Sequence, residues 1–145
     1  MTDMPDDSAV FSWLTAFINR HGAASGTVHL LGADSKLELV ASHNIPAQVL
    51  TLIQAIPRGK GMAGLAWERD QPVSTCNLRT DTSGDVRPGA KAVAAQAAVA
   101  LPVHQGDQVT GVVGIAFSDE RVLSNDDLIE LNAEAETVPQ RANSF

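Results

Sequence analysis

The sequence predicts an α+β domain in which a largely antiparallel sheet carries helices. Three observations lead there. Two pairs of apolar runs are each joined by a short turn cluster, the mark of β-hairpins and so of antiparallel pairing. Amphipathic helical patterns stand at both ends of the chain. The chain has 145 residues, 44% of them hydrophobic, which is enough for one buried core without metals or disulfides.

The first element is the helix in "SAVFSWLTAFINRHG". Val10, Trp13, Leu14 and Phe17 follow the i, i+3, i+4, i+7 spacing of one apolar face, widened by Phe11 and Ile18. Asp7 or Ser8 suits its start and Gly22 its end. A hairpin follows, with arms Val28–Leu31 and Leu37–Ala41 around a Gly-Ala-Asp-Ser turn. "PAQVLTLIQAIP" predicts a short helix bracketed by Pro46 and Pro57, with Val49, Leu50, Ile53 and Ile56 inward. "PVSTCN" predicts a short strand, and residues 79–91 a loop. A second hairpin has arms Ala98–His104 and Val109–Phe117 about Gln105-Gly106-Asp107.

The last helix has the clearest signals. Ser124 precedes Asp127 at capping-box spacing, and Leu123 and Leu128 occupy the staple positions. Leu128, Leu131, Ala135 and Val138 form its stripe, which Pro139 ends. This organisation gives an acidic tail over residues 1–7, one domain over 8–138 and a short tail over 139–145.

Charge and composition exclude several function classes. The net charge of −7 argues against a nucleic-acid backbone as partner. No apolar run approaches the roughly 18 residues of a membrane span. Asp3, Asp6 and Asp7 stand where a signal peptide would be basic, so a cytoplasmic location is expected. The lone Cys76 agrees, having no partner for an internal disulfide. The acidity is concentrated at the ends, while residues 58–91 hold six bases against four acids.

Gly59, Gly61 and Gly64 surround Lys60 in "PRGKGMAGLAWERDQPV". A phosphate loop needs Ser or Thr after the lysine, and Gly61 stands there instead. The G-x-G-x-x-G spacing of dinucleotide folds is met in letter, but it should link a strand to the helix of a parallel βαβ unit. Here it follows a predicted helix. These glycines read mainly as turning and packing residues, with Lys60 able to meet an anion near a helix start.

The whole span "IPRGKGMAGLAWERDQPVSTCNL" resembles the G-x-G-x-x-G-x-A-x-x-x-x-x-P-V segment of GAF domains, which are small-molecule sensor modules. The likeness continues through "AAVALPVHQGDQVTGVVGIAF" and the capped helix "LSNDDLIELNAEAE", and includes the first hairpin. It spans about residues 8–138. It implies a sheet of five or six antiparallel strands, with the terminal helices on one face and a ligand pocket on the other. It also implies that Gly64 and Ala66 let a short helix at Leu65–Arg69 lie close to the sheet, and that the segments near 59–69 and 79–96 wall the pocket.

The same family contains free-methionine-(R)-sulfoxide reductases, with a cysteine in a G-K-G-x-C-G loop. Ala63 occupies that place here, and Cys76 has no resolving thiol. The Asn-Lys signature of cyclic-nucleotide binders and the Cys-His pair of bilin binders are also missing. His21, His29, His43 and His104 lie in four separate elements without metal-ligand spacing, so neither metal nor cofactor is expected. No residues are assigned a catalytic role.

The expected ligand-binding residues are His29, Lys60, Trp67, Arg79, Asp81, Arg87 and Lys91. His29 alternates with Val28 and Leu30 and so faces the opposite side of its strand. Arg79, Arg87 and Lys91 flank a loop able to close over a small anion. The expectation is non-enzymatic sensing of a small metabolite, an anionic one if those cations bind it. Members of such a family report to an attached output domain. These residues include none, so an output protein or self-association would carry the signal. Two alternatives remain. One is a dimerising protein-interaction module with an empty pocket, pairing through Phe11, Trp13, Phe17, Leu128 and Leu131, and the other is a small redox enzyme using Cys76.

Overall fold

A computed structural model describes residues 7–75 and 96–140 of the chain, with the side chain of Asp7 left undescribed. Six strands form one antiparallel sheet: β1 (Ser25–Leu31), β2 (Leu37–His43), β3 (Ala55–Ile56), β4 (Val73–Thr75), β5 (Ala97–Gln105) and β6 (Gln108–Phe117). Their spatial order is β3-β2-β1-β6-β5-β4. Four helices accompany them: α1 (Asp7–His21), α2 (Ala47–Leu50), α3 (Gly61–Arg69) and α4 (Asn125–Ala135). The expected α+β class and its sheet of antiparallel hairpins are what the chain adopts.

Strand periodicity sorts the residues to two faces. On β1, Val28 and Leu30 are buried among Val10, Leu14, Phe17 and Ile18 of α1. Val99, Leu101 and Val103 of β5 and Val113, Ile115 and Phe117 of β6 join them, with Leu131 and Ala135 of α4. This is the main core. On the other face a smaller cluster of Leu37, Ile56, Ala66, Val73, Ala100 and Val112 seats α3 on the sheet. A bulge in β2, where Val28 pairs with Ala41 but His29 with Leu39, lets both Val40 and Ala41 pack on the main-core side.

The helix ends follow their local chemistry. Gly22 has φ 68°, and the bonds Ala23 N–H to Ile18 O (3.0 Å) and Gly22 N–H to Asn19 O (3.4 Å) close α1 with a Schellman turn. The Ser124–Asp127 capping box is complete: Asp127 N–H donates to Ser124 Oγ at 3.1 Å and Ser124 N–H to Asp127 Oδ2 at 3.0 Å. Leu123 and Leu128, at the staple positions either side of the cap, both pack against the main core.

Two expectations need correction. The helix read over residues 46–57 is only the four residues of α2, and Pro46 caps it from outside with ψ 144°. Ala55 and Ile56 instead pair with Glu38 and Leu37 as an edge strand, so apolar spacing that fits a helix here serves a turn and a strand. Likewise α3 begins at Gly61 rather than Leu65. The tight approach at Gly64 is to the preceding turn: an added Cβ would lie 2.5 Å from Pro57 O. Ala66, fully buried, is the residue that lets α3 meet the sheet.

Candidate functional site

The face without terminal helices is only half filled. Where α3 does not reach, a cavity of about 390 Å³ opens over β1, β5 and β6. Its floor is made of residues with little or no side chain: Ala98 and Ala100 from β5, Gly114 and Ala116 from β6. Between them and β2 runs a polar row from β1, namely Ser25, Thr27 and His29. Ile45, Val49 and Ile53 wall it from the segment around α2, and Lys60 to Ala63 from the start of α3. The lining is therefore apolar with a few convergent polar groups, the usual make-up of a small-molecule site.

His29 is the polar centre of that row and is only 2% exposed. Its Nε2 lies 2.8 Å from the carbonyl oxygen of Ile53. A carbonyl can only accept, so Nε2 carries the proton. Burial pushes the His29 pKa down, and the bond to Ile53, which acts in the opposite direction, does not restore it. The ring is thus neutral, and its Nδ1 is a bare acceptor with no hydrogen-bond partner among the described residues. The hydroxyl of Ser25, also buried, has none there either.

Of the other expected site residues, Lys60 lines the cavity, is exposed and precedes α3 as its N-cap. Gly59 and Gly61 beside it have φ 84° and 67°, the turning role read from the sequence. Trp67 does not line the cavity. It packs against the smaller cluster with the guanidinium of Arg58 6.0 Å from its ring, because its place on α3 turns it toward the loop before the helix. Arg79, Asp81, Arg87 and Lys91, together with Cys76, lie outside the described residues. Sequence reasoning missed Ser25, Thr27 and the small-residue floor. The signals were present as Ser-x-Thr-x-His in β1 and Ala-x-Ala in β5, each at strand period.

The residues proposed for pairing separate clearly. Phe17 and Leu131 are inside the chain's own core, at 0% and 5% exposure, and so cannot present a surface to a second copy. Trp13 and Leu128 are half-buried against that core, and Trp13 Nε1 donates to Thr137 Oγ1 at 3.0 Å. Phe11 alone of the five is exposed.

A second polar cluster sits at the end of the sheet. His104 Nδ1 lies 2.7 Å from Glu136 Oε2, and His104 Nε2 lies 2.6 Å from Asp70 Oδ1. Its backbone N–H also donates to Glu136 Oε1 at 2.8 Å. Desolvation disfavours the charged ring, but hydrogen bonds to Glu136 and Asp70 and both negative charges outweigh it and raise the pKa. One imidazolium thereby joins the ends of α3 and α4 across β5. No group of His, Cys, Asp and Glu among the described residues has metal-site geometry. No helix among them is long and apolar enough to cross a membrane.

A curled antiparallel sheet with helices on one face and an apolar cavity on the other defines a class of small ligand-pocket domains. The sequence profile of the GAF domain matches residues 9–138, and this chain belongs to that family. No curated protein sequence is significantly similar to it. Among solved structures, a type II free methionine-R-sulfoxide reductase from Thermoplasma acidophilum is similar with TM-score 0.74 and 16% identity, over 91% of this chain and 88% of that one. The GAF domain of an Acinetobacter phosphoenolpyruvate-protein phosphotransferase gives TM-score 0.69 and 16% identity, over 91% and 80%. A Staphylococcus aureus NreA protein, mutated in its nitrate binding site, gives TM-score 0.69 and 18% identity, over 86% and 99%. At such identities the likeness speaks for the fold.

Proposed function

We propose that this chain is a non-enzymatic, cytoplasmic regulatory domain whose state depends on a small organic molecule held in the cavity. The observation that carries the proposal is the cavity floor: four neighbouring positions on β5 and β6 hold nothing larger than alanine, beside a polar row on β1. A face meant only for packing would carry larger side chains there. Lys60, and the loop cations Arg79, Arg87 and Lys91, would receive an anionic portion of the ligand. Output would pass to another protein or through self-association, for which Phe11 is the remaining aromatic candidate.

A thermal-shift screen against nucleotides, amino acids, organic acids and tetrapyrroles tests this. A ligand selective for the native state raises the melting temperature by mass action. A saturable shift with one chemical class supports the reading, and a flat panel counts against it. Reductase chemistry is the competing reading, prompted by fold neighbours that are free methionine-R-sulfoxide reductases. Ala63, which lines the cavity, stands where the resemblance calls for a loop thiol. Turnover of free methionine-(R)-sulfoxide that disappears in Cys76→Ser would overturn the non-enzymatic assignment.

A further inference from the structure

The polar cluster at the end of the sheet has two unequal arms. Both ring nitrogens of His104 face carboxylate oxygens, Nδ1 at 2.7 Å from Glu136 Oε2 and Nε2 at 2.6 Å from Asp70 Oδ1. An ionised carboxylate only accepts, so both bonds exist together only when the ring carries two protons. Glu136 has a second hold, because its Oε1 accepts the backbone N–H of His104 at 2.8 Å whatever the state of the ring. Asp70 meets His104 through Nε2, and its side chain is 53% exposed. The two arms therefore answer differently to the loss of a proton.

We propose that His104 is a proton-operated latch on α3, which ties Asp70 to Glu136 when doubly protonated and releases Asp70 alone when one proton leaves. The remaining proton stays on Nδ1, where the backbone bond already fixes Glu136. Nε2 then turns a lone pair toward a carboxylate oxygen, and Asp70 swings out to water. The charges bearing on the ring are Glu136 from α4 and Asp70 from the end of α3, and its partner on β6 is the uncharged Val109. Those two carboxylates raise the pKa above the ordinary 6.5, so the latch opens on the alkaline side. Release matters because Asp70 ends α3 in the left-handed region, at φ 52°, which a residue with a Cβ keeps only where its surroundings fix it. The helix is nine residues long, and residues 61–63 of its first turn wall the cavity. The latch stands on the cluster itself, while its effect on a bound molecule rests on the ligand-binding reading above.

No ligand is needed to test the latch. Nitrogen NMR of the full chain should give His104 a pKa above 6.5, with the Nδ1–H tautomer once the ring is neutral. Hydrogen exchange, corrected for the intrinsic effect of pH, should show the amides of residues 65–69 opening roughly two- to fivefold more often above that pKa, relative to the amides of α1. The methyl signal of Met62, on the cavity wall, should titrate with the same midpoint. Asp70→Asn should remove both responses. Asparagine also suits the left-handed region, and its amide can donate to or accept from Nε2 in either state of the ring. A His104 pKa at or below 6.5 overturns the latch. So does exchange in α3 that stays level through the titration, that changes no more than in α1, or that responds unaltered in Asp70→Asn. Exchange that responds while Met62 stays still overturns the link to the cavity wall and leaves the ligand-binding reading untouched.

Discussion

The two faces of the sheet are made by alternate residues of the same strands, yet they do different work. On one, β5 contributes Val99, Leu101 and Val103, which pack with Phe17 and Leu14 of α1 until no side chain is exposed. On the other, β5 contributes Ala98, over which the cavity opens, and Ala100, buried where the cavity meets the cluster under α3. Stability therefore resides on the helix-covered face and ligand capacity on the other. The separation means that one can be altered without the other.

The sharpest way to break this contrast is to hollow the filled face. Phe17→Ala should destabilise the chain by about 3–5 kcal/mol, read from urea denaturation. Two neighbouring glycines give a subtler comparison. An added Cβ at Gly26, toward the helices, would lie 2.8 Å from the Gly114 carbonyl oxygen and 3.0 Å from Ile18 Cδ1. Backbone cannot yield easily, so Gly26→Ala should cost about 1–3 kcal/mol in the same experiment. At Gly114, facing the cavity, the nearest atom is Thr27 Oγ1 at 3.3 Å. Gly114→Ala should change stability by less than about 1 kcal/mol while reducing ligand binding, since strand glycine is itself unfavourable.

The two embedded histidines sharpen the comparison through pH, with opposite signs. His104 has a raised pKa in the fold, so its contribution is complete below the ordinary value of 6.5 and fades as pH rises through the higher folded value. His29 has a lowered pKa, so its contribution is present above 6.5 and fades as pH falls toward the folded value. Stability measured against pH should lose its alkaline-side decline in His104→Ala and keep its acid-side decline. The groups facing His104 are Glu136 and Asp70, and either Glu136→Gln or Asp70→Asn should weaken the same limb. The smallest effect is expected at Phe11, 45% exposed on α1. Phe11→Ser should shift unfolding by no more than about 0.5 kcal/mol. Light scattering then tells whether it also changes the state of association.

Much of this architecture was legible in the residues themselves. Apolar period fixed α1, the capping box fixed the start of α4, and the Gly106 turn fixed the second hairpin, because each is a local rule acting within a few residues. The 46–57 region was misread because its apolar spacing suits a helix, whereas the decisive partner, Leu37–Glu38, is distant in sequence. Of the expected site residues, His29 and Lys60 line the cavity, whereas Trp67 packs against the smaller cluster beside Arg58. Which way a half-turn of α3 points depends on the tertiary packing of Ala66, and propensity does not report that. The bridge from Asp70 through His104 to Glu136 joins three elements and has no signature in any one of them.

The alanine and glycine floor has a further consequence, for the entropy of binding. A side chain that ends at Cβ has no rotamers, so a molecule laid on Ala98, Ala100, Gly114 and Ala116 freezes nothing beneath it. Immobilising a flexible side chain at an interface typically takes about 0.5–1.5 kcal/mol from affinity. Here that loss falls only on the walls, on residues such as Met62 and Ile53. The floor acts as a rigid template whose shape exists before the ligand arrives, and selectivity can be retuned a single methyl group at a time.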